Sequence, residues 1–576
     1  MYHKRKNVFY KKNNNKLKIL LGIIFLILSI IATIFLWKKY MPSFEKVNYR
    51  ESVALAQDEI GVNMQLDYIP MKNSPVLKNE EIYLPIDFIK NYIDEYIYWD
   101  QEENKLTITN QNNVIRMKTD DLQYFVNNEP LELDLPIYNI EGVAYMPQAF
   151  LQDFYQLNFQ YNEQTNMLSI LKEDYKKATV SKKVKIRKEA TKKSPYFEKL
   201  EKGDTVYFYE NEQNGYIKIE SENGYIGFIP KKLLQNIEDV KVENNYENDY
   251  MSVAPWTPQN GKINLIFDQV QQVTANSSEK RRIYHEGVDV LVPTWFSFEG
   301  ENGKIINIAD KGYVDWAHQN GYKVWGLLTD NFDKKISHSI LSSTEKREYV
   351  IKQLLAFVAM YDLDGINIDF ESVPTEDGEN FIQFLRELAP VLREEGAVLS
   401  VDLFVPKPWT SHYNRNEVGK IADYVVVMGY DEHYSGSTEA GSVASLSWSD
   451  LAIKDTLKEG VPKEKLILGI PFYTRIWTET TENGQMTLTS KAYGMEEAYK
   501  FIEQKGGTFT FDEQTGQNYG QVTEGNKTYR VWLEDEQSIQ KRLDLVKQYD
   551  IAGTGAWKRG LETEQIWTIL NQNLKQ

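Results

Sequence analysis

The stretch that most restricts the fold of this 576-residue chain is Asp364-Gly365-Ile366-Asn367-Ile368-Asp369-Phe370-Glu371. Polar and apolar residues alternate through it. A strand sends successive side chains to opposite faces, so Asn367, Asp369 and Glu371 point one way and Ile366, Ile368 and Phe370 the other. The flanking segments, Leu354–Met360 and Phe381–Leu392, read as core helices, which argues against an exposed edge strand with solvated carboxylates. Acidic groups crowded on one face of an apolar strand are costly to bury unpaired, and their proximity raises one pKa. A general acid working near neutral pH requires that shift.

Beyond Met251 the chain alternates strand with helix, the pattern of a (β/α)8 barrel. The expected strands are Ile263–Phe267, Val288–Pro293, Lys323–Leu328, Gly365–Phe370, Val398–Val405, Tyr424–Met428, Leu466–Pro471 and Gly553–Trp557. Residues 258–576 lie within the size range of that fold, with an insertion expected at about 478–530. Ser342 with Glu345 is expected to form a capping box ahead of the helix that leads to the acidic strand.

Length alone predicts several domains. The chain has no cysteine, so it has no disulfide, thiolate metal site or cysteine nucleophile. Its six histidines lack helical His-x-x-x-His spacing, which argues against a zinc enzyme. No cofactor is expected. The first forty residues carry nine Lys/Arg and no acid, so the net charge of −17 leaves −26 on the remainder. An acidic exterior argues against a nucleic-acid partner.

Ile19–Trp37 is apolar or small throughout, long enough to span a bilayer, and Lys38-Lys39 closes it. A signal peptide is the competing reading. The run is longer than a usual signal core and no small-x-small cleavage site follows, which favours an uncleaved anchor. Lys4, Arg5, Lys6, Lys11, Lys12, Lys16 and Lys18 precede it, so residues 1–18 are expected to form a cytoplasmic tail and everything after Tyr40 to lie outside the membrane.

Residues 48–172 hold an internal repeat. Ile82–Ile89 matches Ala144–Leu151, and Lys105–Ile108 matches Met167–Ile170, both with an offset of 62. Each copy reads as a strand, a Pro-started helix and a hairpin, giving a duplicated α+β domain. Residues 177–236 then give short alternating strands broken by Lys202-Gly203-Asp204, Asn214-Gly215 and Asn223-Gly224, the signature of a small β-barrel. The acidic, Asn-rich stretch within 237–257 reads as linker.

The motif at 364–371 resembles the catalytic strand of glycoside hydrolase family 18, Asp-Gly-x-Asp-x-Asp-x-Glu. Asp364, Gly365, Asp369 and Glu371 match it, and Asn367 replaces an Asp. This form is similar to the branch holding bacterial spore-cortex and cell-wall N-acetylglucosaminidases. Met428-Gly429-Tyr430-Asp431 matches the family's Met-x-Tyr-Asp, and Gly469–Arg475 resembles a further signature. The 478–530 interval resembles the α+β insertion that deepens the family's cleft. Residues 48–172 resemble the copper amine oxidase N-terminal domain, here without copper chemistry. The Gly-Tyr-Ile-Gly-Phe-Ile-Pro run at 224–230 resembles a bacterial Src-homology-3-like domain, whose tyrosines either pack the barrel or stack on glycan.

The family resemblance implies a substrate-assisted glycosidase acting on an N-acetylated polysaccharide, peptidoglycan or chitin-like, on the outer face of the membrane. Glu371 would be the acid, and Asp369 would hold the acetamido N–H. Tyr430 and Asp431 would orient that group, with Asn367, Tyr473, Arg475 and Trp557 binding sugar. Asn367 keeps hydrogen bonding but removes a charge, so Asp369 is expected to ionise more readily, shifting the pH optimum. The alternatives are a glycan-binding protein on a degenerate barrel, which retention of Glu371 disfavours, and a scaffolding surface protein.

Overall fold

The computed structural model describes residues 15–242, 246 and 248–575. Lys4, Arg5, Lys6, Lys11 and Lys12 of the basic tail lie outside the described residues. The chain divides into two compact units, one of residues up to Ile93 together with Tyr145–Tyr246, the other of Asp94–Ala144 with Glu247–Gln576.

The first unit begins with the helix Asn15–Tyr40, longer at both ends than the apolar run and with no buried residue. Its most apolar window has a mean hydropathy of 3.1, enough in length and composition to cross a membrane. Thr33 donates its hydroxyl to the Ser29 carbonyl at 2.7 Å, which satisfies that polar group within the helix itself.

The duplication has a structural counterpart in this unit. The Pro-ended strands of the two copies pair antiparallel, with Tyr145 opposite Pro85 and Pro147 opposite Tyr83. Since Tyr83 corresponds to Tyr145 and Pro85 to Pro147, this register is its own two-fold. Helices Ile86–Tyr92 and Gln148–Tyr155 follow, with each proline at the N-cap, one position earlier than a Pro-started helix would have it. Residues 175–240 form antiparallel strands around Val180, Ile186, Val206, Ile217, Ile219 and Ile229. Asn214, Gly215 and Gly224 adopt the positive φ expected of the turns.

The second unit contains eight parallel strands: β1 (Ile263–Asp268), β2 (Val290–Pro293), β3 (Lys323–Thr329), β4 (Gly365–Asp369), β5 (Val398–Phe404), β6 (Tyr424–Met428), β7 (Leu466–Pro471) and β8 (Gly553–Trp557). Each pairs with its neighbours in order. β8 returns to β1, and the β2–β3 pairing of Val290 with Lys323 closes the barrel. All eight expected strands are present, with ends moved by a residue or two.

Alternation sorts the side chains. Ile366, Ile368 and Phe370 join the outer core with the helices, where Phe370 stacks on Phe384 at 5.7 Å. Inside the barrel, Leu265, Val290, Trp325, Leu327, Tyr424, Val426 and Ile467 form an apolar floor. Gly365 is required there, because a Cβ would lie 2.6 Å from the Trp325 ring and 2.8 Å from the Val398 carbonyl. Between β7 and β8 a five-stranded antiparallel sheet and the helix Met495–Gln504 span Tyr473–Trp532, so the insertion begins directly after β7.

The capping box expected from Ser342 and Glu345 does not form. Ser343 is the N-cap, accepting from the Lys346 N–H at 3.2 Å. Ser342 closes the preceding helix by donating to the His338 carbonyl, and Glu345 accepts from Lys105 instead.

The same unit contains a five-stranded sheet between Tyr98 and Glu132 that packs on the barrel helices Thr344–Tyr361 and Gly378–Glu394. Its anchor is buried and charged. Glu387 accepts from Arg347 at 3.0 and 3.2 Å on one oxygen and from Arg116 at 3.3 Å on the other. Tyr98 covers the Arg347 guanidinium at 4.7 Å. Glu387→Ala leaves two buried guanidinium groups without their carboxylate and should destabilise this unit by about 3–5 kcal/mol in urea unfolding.

Candidate active site

The C-terminal ends of the strands open into a cavity of about 700 Å³. Asp369, Glu371, Tyr430, Asp431, Tyr473, Arg475 and Trp557, named from the sequence, all line it. Asn367 does not. It lies one layer deeper on β4, fully buried, and donates through Nδ2 to Asp402 Oδ1 at 2.8 Å and to Ser400 Oγ at 3.2 Å. Asp364, at the opposite end of β4, accepts from the Val324 N–H and from Lys323 Nζ, with His318 Nε2 2.7 Å away. Its contacts are structural.

Glu371 lies two residues beyond the end of β4, on a segment held from two sides. Tyr413 donates its hydroxyl to the Phe370 carbonyl at 2.9 Å, and Asp330 accepts the Ser372 N–H at 2.7 Å. Burial raises the Glu371 carboxyl to about 8, with Asp369, Asp330 and Asp431 adding like-charge repulsion. Burial, then Asp330, raises Asp369 to about 7. These values belong to a coupled set of acids rather than to single residues.

Even with the neutral Asn367 beside it, Asp369 keeps its proton well above the usual carboxyl range, through burial and Asp330. A further carboxyl comes from β5. That carboxyl, Asp402, is buried and faces the cavity. Its pKa is well above the usual range, first through burial and then through Asp369. Burial, with Asp402 next, keeps the Tyr430 phenol protonated and able to donate. Tyr473 donates to Asp431, whose backbone takes a left-handed φ of 55°. Arg475 Nε is held by Ser490 Oγ at 3.0 Å. Trp557 tilts against Phe267, 5.6 Å between ring centres.

Sequence reasoning missed Asp402, Asp330 and an aromatic rim of Phe332, Trp409, Tyr434 and Trp448. For Asp402 the signal was there. Ser400, Asp402 and Phe404 alternate with Val401, Leu403 and Val405, the same pattern that marks β4. Phe332 and Tyr434 sit on loops, Trp409 on a short 3-10 helix and Trp448 in the first turn of the helix Leu446–Lys458, where no periodicity points to them. Phe332, Trp409 and Tyr434 are each more than half exposed.

Barrel, acidic strand and cleft together define a glycosidase of the (β/α)8 class. The model for glycosyl hydrolases family 18 matches residues 267–562, just over half of the chain. The chain belongs to that family and is a glycoside hydrolase. The copper amine oxidase N-terminal domain model matches residues 63–170. Among relatives, the Bacillus subtilis protein named uncharacterized glycosylase YvbX is 28% identical over 51% of this chain and 86% of its own length. A cortical fragment-lytic enzyme of the same species is 26% identical over 43% of this chain, which spans only 58% of that enzyme. The solved C-terminal domain of a chitinase-titled protein from Desulfitobacterium hafniense shares the fold, with a TM-score of 0.50, 24% identity, 55% coverage of this chain and 100% of its own.

The raised carboxyls have a stability consequence. Between the ordinary Glu range and about 8, the unfolded chain releases the Glu371 proton while the folded chain keeps it, so native stability falls as pH rises through that window. Glu371→Gln removes this penalty. Its melting temperature should exceed that of the unsubstituted chain at pH 8, by on the order of 2 kcal/mol in stability, and the difference should vanish near pH 4.

Proposed function

We propose that the chain is a membrane-anchored, extracytoplasmic glycosidase that cleaves β-linked N-acetylglucosamine-containing glycan by substrate-assisted, retaining catalysis. The observation that carries this reading is the convergence of Glu371, Asp369, Tyr430 and Asp431 on one cleft beside Trp557. Glu371, protonated at neutral pH, donates to the glycosidic oxygen as the bond breaks. The 2-acetamido oxygen of the sugar attacks the anomeric carbon and forms an oxazolinium ion. Asp369 accepts the acetamido N–H and stabilises the positive charge. Tyr430 donates to the acetamido oxygen, and Asp431, held by Tyr473, completes the pocket. Glu371 then takes a proton from water, which opens the ring with retention. This route replaces the second carboxylate nucleophile of other retaining glycosidases.

Peptidoglycan is the favoured substrate. Lys407 Nζ lies 4.6 Å over the Trp448 ring at the cleft and forms no ion pair among the described residues. The stem peptides of peptidoglycan offer it carboxylates, and chitin has none. The relatives named as cortical fragment-lytic enzymes support the same substrate. Residues 48–172 and the Src-homology-3-like stretch 177–236 would be accessory, wall-facing parts, and the helix at 19–37 the anchor.

Incubation with purified peptidoglycan and with chitin oligomers, reading new reducing ends by mass spectrometry, tests the reading. Glu371→Gln should lose about 10²–10⁴-fold in turnover on either glycan. Lys407→Met should raise KM on peptidoglycan alone. Unchanged hydrolysis by the Gln variant would sink the assignment. For the anchor, the full chain should sediment with membranes and a chain lacking residues 1–40 should not. Recovery of both in the soluble fraction would refute it.

A further inference from the structure

Asn367 and Ser400 stand opposite each other on β4 and β5, as do Ile368 and Val401. One step further along the same register brings Asp369 level with Asp402, on adjacent parallel strands about 4.8 Å apart and on the same inward face. The Asn367 amide holds Asp402 Oδ1 at 2.8 Å, and Asp402 lines the cavity. Asp369 Oδ1 is buried and has no hydrogen-bond partner. An orphaned buried acceptor is costly unless something donates to it.

We propose that Asp402 and Asp369 share one proton, so that β5 supplies the carboxyl that Asn367 withholds from β4, and that Asp402 is the positioning residue that keeps Asp369 ready for the acetamido group. Two carboxylates at this separation, away from water, do not both ionise. The proton satisfies the orphaned oxygen in the free enzyme. When the sugar arrives, the proton stays on the Asp402 carboxyl and Asp369, as carboxylate, accepts the acetamido N–H. No proton leaves the site and no other bond changes. The groups facing Asp402 are Asp369 and Glu371 from β4, Asn367 below them, and Tyr430 from the end of β6. Asp330 reaches the same set through both Asp369 and Glu371, and Asp431 through Glu371.

The inference rests on the proposed substrate-assisted reading, and the tests separate the two. On peptidoglycan, Asp402→Ala in the full chain should lower kcat about 100-fold with little change in KM. The acid limb of its pH profile should move upward, because the Asp369 carboxylate has lost its donor. Asp402→Asn keeps a donor, so its acid limb should stay in place. Asn367→Asp combined with Asp402→Ala should recover at least about tenfold of the lost kcat by returning a carboxyl to β4. A role in packing alone predicts no rescue.

A readout independent of turnover is the infrared spectrum of isotope-labelled aspartate in the Glu371→Gln chain. A protonated-aspartate band at neutral pH should be lost on Asp402→Asn. An unmoved acid limb in Asp402→Ala, a double variant no better than the single, or a band unchanged by Asp402→Asn would each overturn the proposal. If Glu371→Gln retains turnover while the band behaves as expected, the catalytic reading fails and the shared proton stands. If Glu371→Gln is inactive and the Asp402 series is flat, only the shared proton fails.

Discussion

Burial of carboxyl groups on the inner face of a closed barrel is the constraint on which this site depends. Asp369, Asp402 and Asp330 are nearly or fully buried, and Glu371 is largely so. Water cannot stabilise their charges, and no lysine or arginine forms an ion pair with any of them among the described residues. Protons are therefore retained to higher pH than in solution, which is the condition for an acid at neutral pH. The cost falls on folding stability, an exchange of stability for function seen at many sites.

The barrel tolerates this because its two ends have different jobs. At the N-terminal end, Trp325, Tyr424 and the other floor residues fill the interior, and the space left by Gly365 lets Trp325 pack against β4. At the C-terminal end Asp402, Asp330 and Asp431 are fixed by neutral donors rather than by cations. Asn367 holds Asp402, Ser337 and the Ser372 N–H hold Asp330, and Tyr473 holds Asp431. Neutral donors orient a carboxyl without pulling its pKa down as far as an arginine would. Arg475 lines the cleft but its Nε is committed to Ser490.

The rest of the second unit shows the opposite treatment of charge. Where the Tyr98–Glu132 sheet packs on the barrel helices, Glu387 is buried with two arginines about it. Pairing there serves register and attachment, and no proton needs to move. The repeat at 62-residue offset has a similar lesson. Its Pro-ended strands pair about a local two-fold in the first unit, whereas Lys105–Thr109 of the earlier copy belongs to the sheet of the second unit. Similar sequences reached different neighbours because side chains outside the matched stretches, such as Tyr98 and Arg116, decide what each copy packs on.

The alternation at 364–371 was enough to assign faces to Asn367, Asp369 and Glu371, and the eight apolar strand segments were enough for a barrel. Both are local periodicities, so the chain carries them without knowing its neighbours. Helix ends were less legible, as Ser343 rather than Ser342 shows, because competing hydrogen bonds decide between adjacent serines. The partnership of Asp369 with Asp402 was not legible at all. It depends on the register between two strands separated by a helix, and only closure of the barrel brings those carboxyls level and removes them from water. The amino-acid sequence determined which groups are acids and which way they face; the tertiary structure decided which of them must share a proton.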